Sequence, residues 1–156
     1  MNKILIRFAD VLLMRAEALI ELNRESEALP LINQIRQRAQ DRANGMVNYS
    51  DPDLKPVMEV ALYQDGSNCV WNQEFARYAL RWERRLEFAM ENMRFFDLVR
   101  WGICSETMNK YFQSEKARRS YLKEAVFTKN KNEYAPIPQQ QIGYSKDVYK
   151  QNYGWK

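Results

Sequence analysis

Three glutamates spaced four residues apart are the first residues whose type and spacing could support chemistry. Glu83, Glu87 and Glu91 would share one face of a helix, because residues four apart lie one turn above each other. Carboxylates aligned in this way can hold two metal ions or act as the acid and base of a hydrolase. The helical di-metal pattern also needs a histidine three residues after a glutamate, and this sequence has no histidine.

Arginines alternate with these acids along the same stretch. An arginine beside a carboxylate keeps the carboxylate ionised and hydrogen-bonded, so we favour a structural ion-pair frame over a metal-dependent hydrolase. We predict no catalytic residue, no metal ligand and no cofactor. The predicted frame consists of Glu83, Arg84, Glu87, Glu91, Arg94, Asp97 and Arg100.

Other kinds of catalytic site are limited by composition. The absence of histidine removes Ser-His-Asp and Cys-His catalysis and the commonest zinc ligand. Cys69 and Cys104 are too few for a disulfide framework or a metal cluster. Each cysteine is expected to be a small buried apolar residue, and a disulfide between the two stays open.

A loop with aromatic and amide side chains is the candidate binding site. An aromatic ring can stack on the face of a sugar, and neighbouring Asp and Asn side chains can bind its hydroxyls. The alternative is a loop that its aromatic residues hold against the core. The candidate ligand residues are Tyr63, Asp65, Asn68 and Trp71.

Length and charge indicate one domain, residues 1–156, with an ordinary charged surface. The 24 basic and 20 acidic residues are interspersed and give a net charge of +4, which favours solubility over nucleic-acid binding. A basic tract from Lys116 to Lys131 is interpreted as a solvated face. No apolar run approaches the roughly 20 residues of a membrane span.

The first 45 residues are predicted to form a helical hairpin. One helix covers Lys3 to Leu22, and a second starts near Ser26 and stops at Asn44-Gly45. The spacing of Ala16 and Ala28 across the turn is typical of a tetratricopeptide repeat, in which small residues let two helices approach. A generic αα-hairpin is the alternative. The first helix is apolar on two sides, so we expect exposed hydrophobic surface or self-association.

The remaining segments alternate between loops and helices, in a mainly α fold of antiparallel helix pairs. Residues 46–72 are a loop insertion with turn signals. Residues 73–102 are central helices, broken at Asn92 and continuing as Phe95 to Trp101. The stripe predicted to face the core comprises Phe75, Ala79, Trp82, Leu86, Met90 and Met93.

Residues 103–156 are predicted to hold a helix and an extended tail. The helix covers Ser105 to about Lys123, with Met108, Tyr111, Phe112 and Leu122 facing inward, and Ala125 to Thr128 is a possible strand. Pro136 and Pro138 fix an extended path. The aromatic end of the chain is expected to dock on the body.

Four segments, in this order, resemble the C-terminal region of the SusD/RagB family. The first is Arg7 to Ala18 (RFADVLLMRAEA) followed by Glu27 to Ala39 (EALPLINQIRQRA). The second is Glu83 to Gly102, ERRLEFAMENMRFFDLVRWG. The third and fourth are Tyr134 to Gln139 (YAPIPQ) and Gln151 to Trp155 (QNYGW).

The resemblance implies a helical, repeat-containing, non-catalytic lipoprotein on the outer-membrane surface of Bacteroidota. Such proteins bind oligosaccharides or other nutrients and act with a SusC-like TonB-dependent transporter. The chain is expected to be a C-terminal fragment or a truncated gene product, since the family's signal peptide and lipidated cysteine are absent from it. Asn92 and Tyr153 stand where the family often has Gly and Pro. The alternative function is a free-standing helical-repeat adaptor that binds a protein or peptide.

Overall fold

The mainly α fold is confirmed. The computed structural model describes residues 6–45, 59–146 and 148–155, and these ranges contain helices and no β-strand. The helices are α1 (Phe8–Glu21), α2 (Glu25–Asn44), α3 (Gln73–Glu87), α4 (Met93–Arg100), α5 (Cys104–Glu115) and α6 (Gln139–Tyr144), with a 3₁₀ turn at Ser120–Leu122.

The chain divides into two compact units, Met1–Met90 and Glu91–Lys156. The first contains α1 to α3, and the second contains α4 to α6. That residues 1–156 form a single domain stays a prediction. Residues 46–58 of the predicted loop insertion lie outside the described residues.

An antiparallel hairpin of α1 and α2 builds the first unit. Leu22 to Arg24 link the helices, and Asn23 takes the left-handed conformation at φ 57°, which Asn tolerates better than most residues. Ala16 and Ala28 are fully buried, so the helices are close where both side chains are small. Assignment to a tetratricopeptide repeat stays a prediction. The second helix begins at Glu25, close to the start predicted near Ser26, and its N-cap is Arg24.

The face that α3 turns inward differs from the predicted stripe. Helix α3 packs against α1 and α2 and buries Ala76, Leu80, Glu83 and Arg84 as well as Ala79. Within the predicted stripe, Trp82 and Leu86 are exposed, Leu86 by 60%. The prediction was wrong for these residues because charged side chains with partners on neighbouring helices occupy the inward face.

The break in the central helices also comes earlier than predicted. Helix α3 ends at Glu87, and Met90 and Asn92 both adopt left-handed conformations, at φ 67° and 63°. Met90 is therefore outside the helix and 98% exposed. Glu91 lies in the same turn, so it does not continue the helical row of Glu83 and Glu87.

The second unit has a small core of its own. Leu98, Cys104 and Phe127 are buried together, and Gly102 at φ 69° allows the chain to reverse between α4 and α5. Helix α5 ends at Glu115, well before Lys123, and Tyr111 is exposed. The partly buried residues Val99, Ile103, Met108 and Phe112 pack around this core.

The strand predicted at Ala125 to Thr128 is absent. The side chain of Asn109 accepts a hydrogen bond from the Phe127 amide at 2.9 Å and donates one to the Phe127 carbonyl at 2.9 Å. One side-chain amide therefore satisfies the backbone groups that a neighbouring strand would otherwise bind.

The C-terminal segment is extended only in part. Pro138 has extended backbone angles, as the sequence predicts, but α6 follows it directly. The indole N–H of Trp155 donates to the carbonyls of Lys131 and Tyr134, at 3.1 and 3.0 Å. This contact confirms docking of the aromatic terminus for Trp155, whereas Tyr149 and Tyr153 are exposed.

Candidate functional site

Two of the three glutamates that were predicted to align bind arginines of the α1–α2 hairpin, from α2 and from the residue before α1. Glu83 Oε2 accepts a hydrogen bond from Arg36 Nη1 at 2.9 Å. Glu87 Oε1 accepts one from Arg7 Nη1 at 2.7 Å, and its other oxygen binds Arg38. Both carboxylates are therefore occupied by cations that join α3 to the hairpin.

The other members of the predicted frame are distributed over both units. Arg84 Nη1 donates to Asp10 Oδ1 at 2.8 Å, with both side chains almost wholly buried. In the second unit, Asp97 accepts from Arg100 at 2.9 Å. Arg94 lies over the Trp101 ring, with its guanidinium carbon 6.0 Å from the ring centre. Glu91 is exposed in the turn before α4.

Burial sets the electrostatics of the inward glutamate. Desolvation raises the pKa of Glu83 above its ordinary value of 4.5, although the hydrogen bond from Arg36 opposes this effect. A raised carboxyl pKa is typical of acid–base catalysts as well as of buried frames. Here the Glu83 carboxylate is buried against Arg36, which leaves little room for a substrate atom. Among the described residues, no three Cys, Asp or Glu side chains come close enough to hold a metal ion.

The four predicted ligand residues lie in one short loop, but the side chains of Asp65 and Asn68 bind backbone groups of that loop. Asp65 Oδ1 accepts from the Trp71 amide at 2.8 Å. Asn68 accepts from the Gln64 amide and donates to the Leu62 carbonyl, at 2.8 and 2.7 Å.

Within this loop, the rings of Tyr63 and Trp71 pack against each other. Their centres are 5.5 Å apart, and Trp71 is only 8% exposed, with its indole N–H bound to the Glu25 carbonyl at 2.8 Å. Burial also raises the pKa of Tyr63. The structure thus brings the four residues together as a folded loop anchored to the hairpin.

An open pocket beside this loop was not anticipated from the sequence. It has a volume of about 520 Å³ and is lined by Val70, Asn72, Glu74, Phe75 and Tyr78. Phe75 and Tyr78 are three residues apart, so both belong to one side of α3. That spacing was visible in the sequence, but Phe75 was assigned to the core.

A second pocket lies on the hairpin. Its volume is about 480 Å³, and its lining is Arg7, Phe8, Ala9, Leu12, Gln34, Ile35 and Arg38. Both arginines bind the single carboxylate of Glu87, so each already has an anionic partner. An apolar face of this kind is what a helical repeat presents to a stacked neighbour.

Sequence and structure comparisons place this arrangement among known proteins. The sequence model of the SusD family matches residues 1–155. The chain belongs to the SusD family. Two curated relatives from Formosa agariphila, SusD-like protein P38 and SusD-like protein P25, are 36% and 35% identical to it over 107 residues, or 69% of the chain.

A solved structure gives the same result for the fold. The crystal structure of a SusD homolog from Bacteroides thetaiotaomicron matches with a TM-score of 0.70 and 30% identity over 97% of the chain. The match covers 26% of that homolog, and the curated matches cover 18% and 16% of the two Formosa proteins. The chain therefore spans about a quarter or less of the length of these relatives.

No helix in the described ranges is long and apolar enough to cross a membrane.

Proposed function

We propose that this chain is a non-catalytic nutrient-binding component of an outer-membrane uptake system and binds glycans. The match to the SusD family over residues 1–155 carries the proposal. SusD proteins are glycan-binding accessories associated with the outer membrane. In this proposal, the chain acts at the cell surface with a SusC-like TonB-dependent transporter, which imports the bound nutrient.

The geometry of the described residues supports binding without catalysis. The carboxylates best placed for chemistry, Glu83 and Glu87, are held by Arg36, Arg7 and Arg38. A group fixed in this way has a structural role, whereas an acid or base catalyst must be free to exchange a proton with substrate.

Aromatic stacking and hydrogen bonds to sugar hydroxyls are the proposed binding mechanism. Contact of Tyr63, Asp65, Asn68 and Trp71 with the ligand stays a prediction. Since Asp65 and Asn68 bind backbone groups of their own loop, we propose that the loop mainly shapes the surface beside it.

The test has two parts, made on the protein in the bacterium that produces it. An affinity-tagged protein is purified from detergent-solubilised outer membrane, and copurifying proteins are identified by mass spectrometry. Purified protein is then titrated with neutral oligosaccharides by calorimetry. Recovery of a TonB-dependent transporter together with saturable saccharide binding is the expected result. The proposal would be refuted if no transporter copurified and the protein bound no saccharide.

The adaptor alternative predicts a different genetic context. A signal peptide with a lipidation cysteine encoded upstream in the same reading frame favours the uptake component. Further helical repeats without such a signal would favour the adaptor.

A further inference from the structure

The pocket at the start of α3 has a wall of aromatic rings held in fixed positions. Phe75 packs against Trp71 and Tyr63 of the loop, with ring centres 5.9 and 5.7 Å away. Tyr78 lies between Phe75 and Trp82, at 6.1 and 6.2 Å. Each ring is supported by at least one other ring, so little side-chain entropy remains to be lost when a ligand binds.

Tyr78 is the most exposed ring of this arrangement. It is 56% exposed, although its neighbour Phe75 is partly buried. A tyrosine that two neighbouring rings hold in place and that is still exposed to solvent is suited to stacking. Its face is apolar, and its hydroxyl can bind water or a ligand. Val70, also exposed, extends the apolar wall.

The polar groups of the pocket are still available, unlike those of the neighbouring loop. The Glu74 carboxylate makes no hydrogen bond or ion pair with any described residue. Asn72 uses its side-chain oxygen to cap α3, accepting from the Phe75 amide at 2.9 Å, and its amide N–H₂ group has no acceptor among the described residues. One acceptor group and one donor group therefore border the aromatic wall.

This combination matches the surface of a pyranose ring. A sugar ring has an apolar C–H face that packs on an aromatic ring, and its edge carries hydroxyls that both donate and accept. The volume of about 520 Å³ lies within the roughly 300–1,000 Å³ of small-molecule sites. The open shape suits a residue within a longer chain.

We propose that Val70, Asn72, Glu74, Phe75 and Tyr78 form a saccharide subsite, with one neutral sugar ring stacked on Tyr78 and its hydroxyls bound by Glu74 and Asn72. The choice of a saccharide as ligand rests on the proposed function, whereas the location rests on the pocket itself. The rings of Tyr63 and Trp71 support the subsite through their contacts with Phe75, and Asp65 and Asn68 hold the loop that carries those rings.

Three single substitutions test the subsite on the 156-residue chain. Tyr78→Ala removes the stacking surface, Glu74→Gln removes the charged acceptor, and Tyr111→Ala is the matched control. Tyr111 is an exposed tyrosine on α5, with its ring 6.1 Å from that of Phe112, as Tyr78 is 6.1 Å from Phe75. The control thus removes an equivalent ring from the other compact unit.

Binding is measured by calorimetry and by affinity electrophoresis with maltohexaose, laminarihexaose, cellohexaose and mannohexaose and their parent polymers. We expect Tyr78→Ala to weaken binding about tenfold and Glu74→Gln about fivefold, while Tyr111→Ala binds like the wild type. Circular dichroism of each variant checks the fold, and Glu74→Gln is a surface change that leaves packing intact.

Each outcome has a separate meaning. Saccharide binding that is equal in wild type, Tyr78→Ala and Glu74→Gln would refute the subsite and leave the proposed glycan-binding function standing. An equal loss in Tyr78→Ala and Tyr111→Ala would also refute it, because the effect would not be local. Binding of none of these saccharides by the folded wild-type chain would overturn the subsite, and the transporter copurification would then decide the proposed function by itself.

Discussion

Arg84 and Asp10 form an ion pair between α3 and α1 in which both side chains are almost wholly buried. Arg84 Nη1 lies 2.8 Å from Asp10 Oδ1, and the Arg84 guanidinium carbon lies 5.0 Å from the centre of the Phe88 ring. Burying two charges is costly, and their mutual attraction offsets that cost only when geometry and partners are good. The pair therefore specifies how α3 packs on the hairpin more than it adds net stability.

Removing both partners of this pair should cost much less stability than the two single removals added together. We expect Arg84→Met or Asp10→Asn alone to lower the free energy of unfolding by about 3–5 kcal/mol, because the remaining buried side chain loses the opposite charge 2.8 Å away. The double substitution should cost clearly less than the sum of the two. Urea unfolding followed by circular dichroism measures all three. Strictly additive losses would show that the two side chains are not coupled.

The raised pKa of Glu83 should make its contribution to stability decrease as the pH rises. Burial raises its pKa in the folded protein above the ordinary 4.5, so the folded state binds this proton more tightly than the unfolded state. The stability that Glu83 contributes is therefore fully present below about pH 4.5 and is lost as the pH rises through the folded pKa. As the pH rises from about 4 to about 8, the melting temperature of Glu83→Gln should therefore increase relative to that of the wild type.

Glu21 provides the control with the opposite sign. Its hydrogen bonds from Arg77, at 2.7 Å, lower its pKa, so its contribution appears above the unfolded pKa and is lost as the pH falls. As the pH rises over the same range, the melting temperature of the wild type should therefore increase relative to that of Glu21→Gln. The same trend in both variants would contradict the assignment for Glu83.

Local signals in the sequence account for the parts of the fold that were predicted well. The second helix ends at Asn44, where the Asn44-Gly45 pair predicts it, and Asn23 takes the left-handed conformation in the turn between the two helices. The inward face of α3 could not be predicted in this way. The partners of Glu83 and Arg84 lie 47 and 74 residues away in the sequence, and hydrophobic periodicity treats charged residues as outward-facing.

The candidate site shows the same division between local and long-range information. The composition of the loop left open whether Tyr63 and Trp71 contact a ligand or hold the loop against the core; in the structure their rings pack against each other and Trp71 is buried. The sequence could not show that Asp65 and Asn68 bind their own backbone, or that Glu74 lies beside the pocket without a described partner. Those facts depend on side-chain geometry.

The two cysteines should differ sharply in reactivity. Both are free thiols; Cys69 is partly exposed in the loop, and Cys104 is buried in the second unit. Burial raises the pKa of the Cys104 thiol, and the thiolate is the reactive species. Iodoacetamide should therefore modify Cys69 first and Cys104 only in denaturant, as followed by mass spectrometry. Cys69→Ser should abolish the fast phase of iodoacetamide modification. A fast phase that persists in this variant would show that Cys104 is the reactive thiol.

Met90 is the residue at which a single change should stabilise the protein. Its backbone is left-handed at φ 67°, a conformation that costs a residue with a Cβ about 1–2 kcal/mol, and its side chain is 98% exposed. Met90→Gly relieves this strain without removing packing, so we expect the free energy of unfolding to rise by about 1 kcal/mol. Met90→Ala keeps the Cβ and should give no gain, which separates backbone strain from loss of the exposed side chain. Equal unfolding midpoints for the glycine and alanine variants in urea would show that the turn is not strained at Met90.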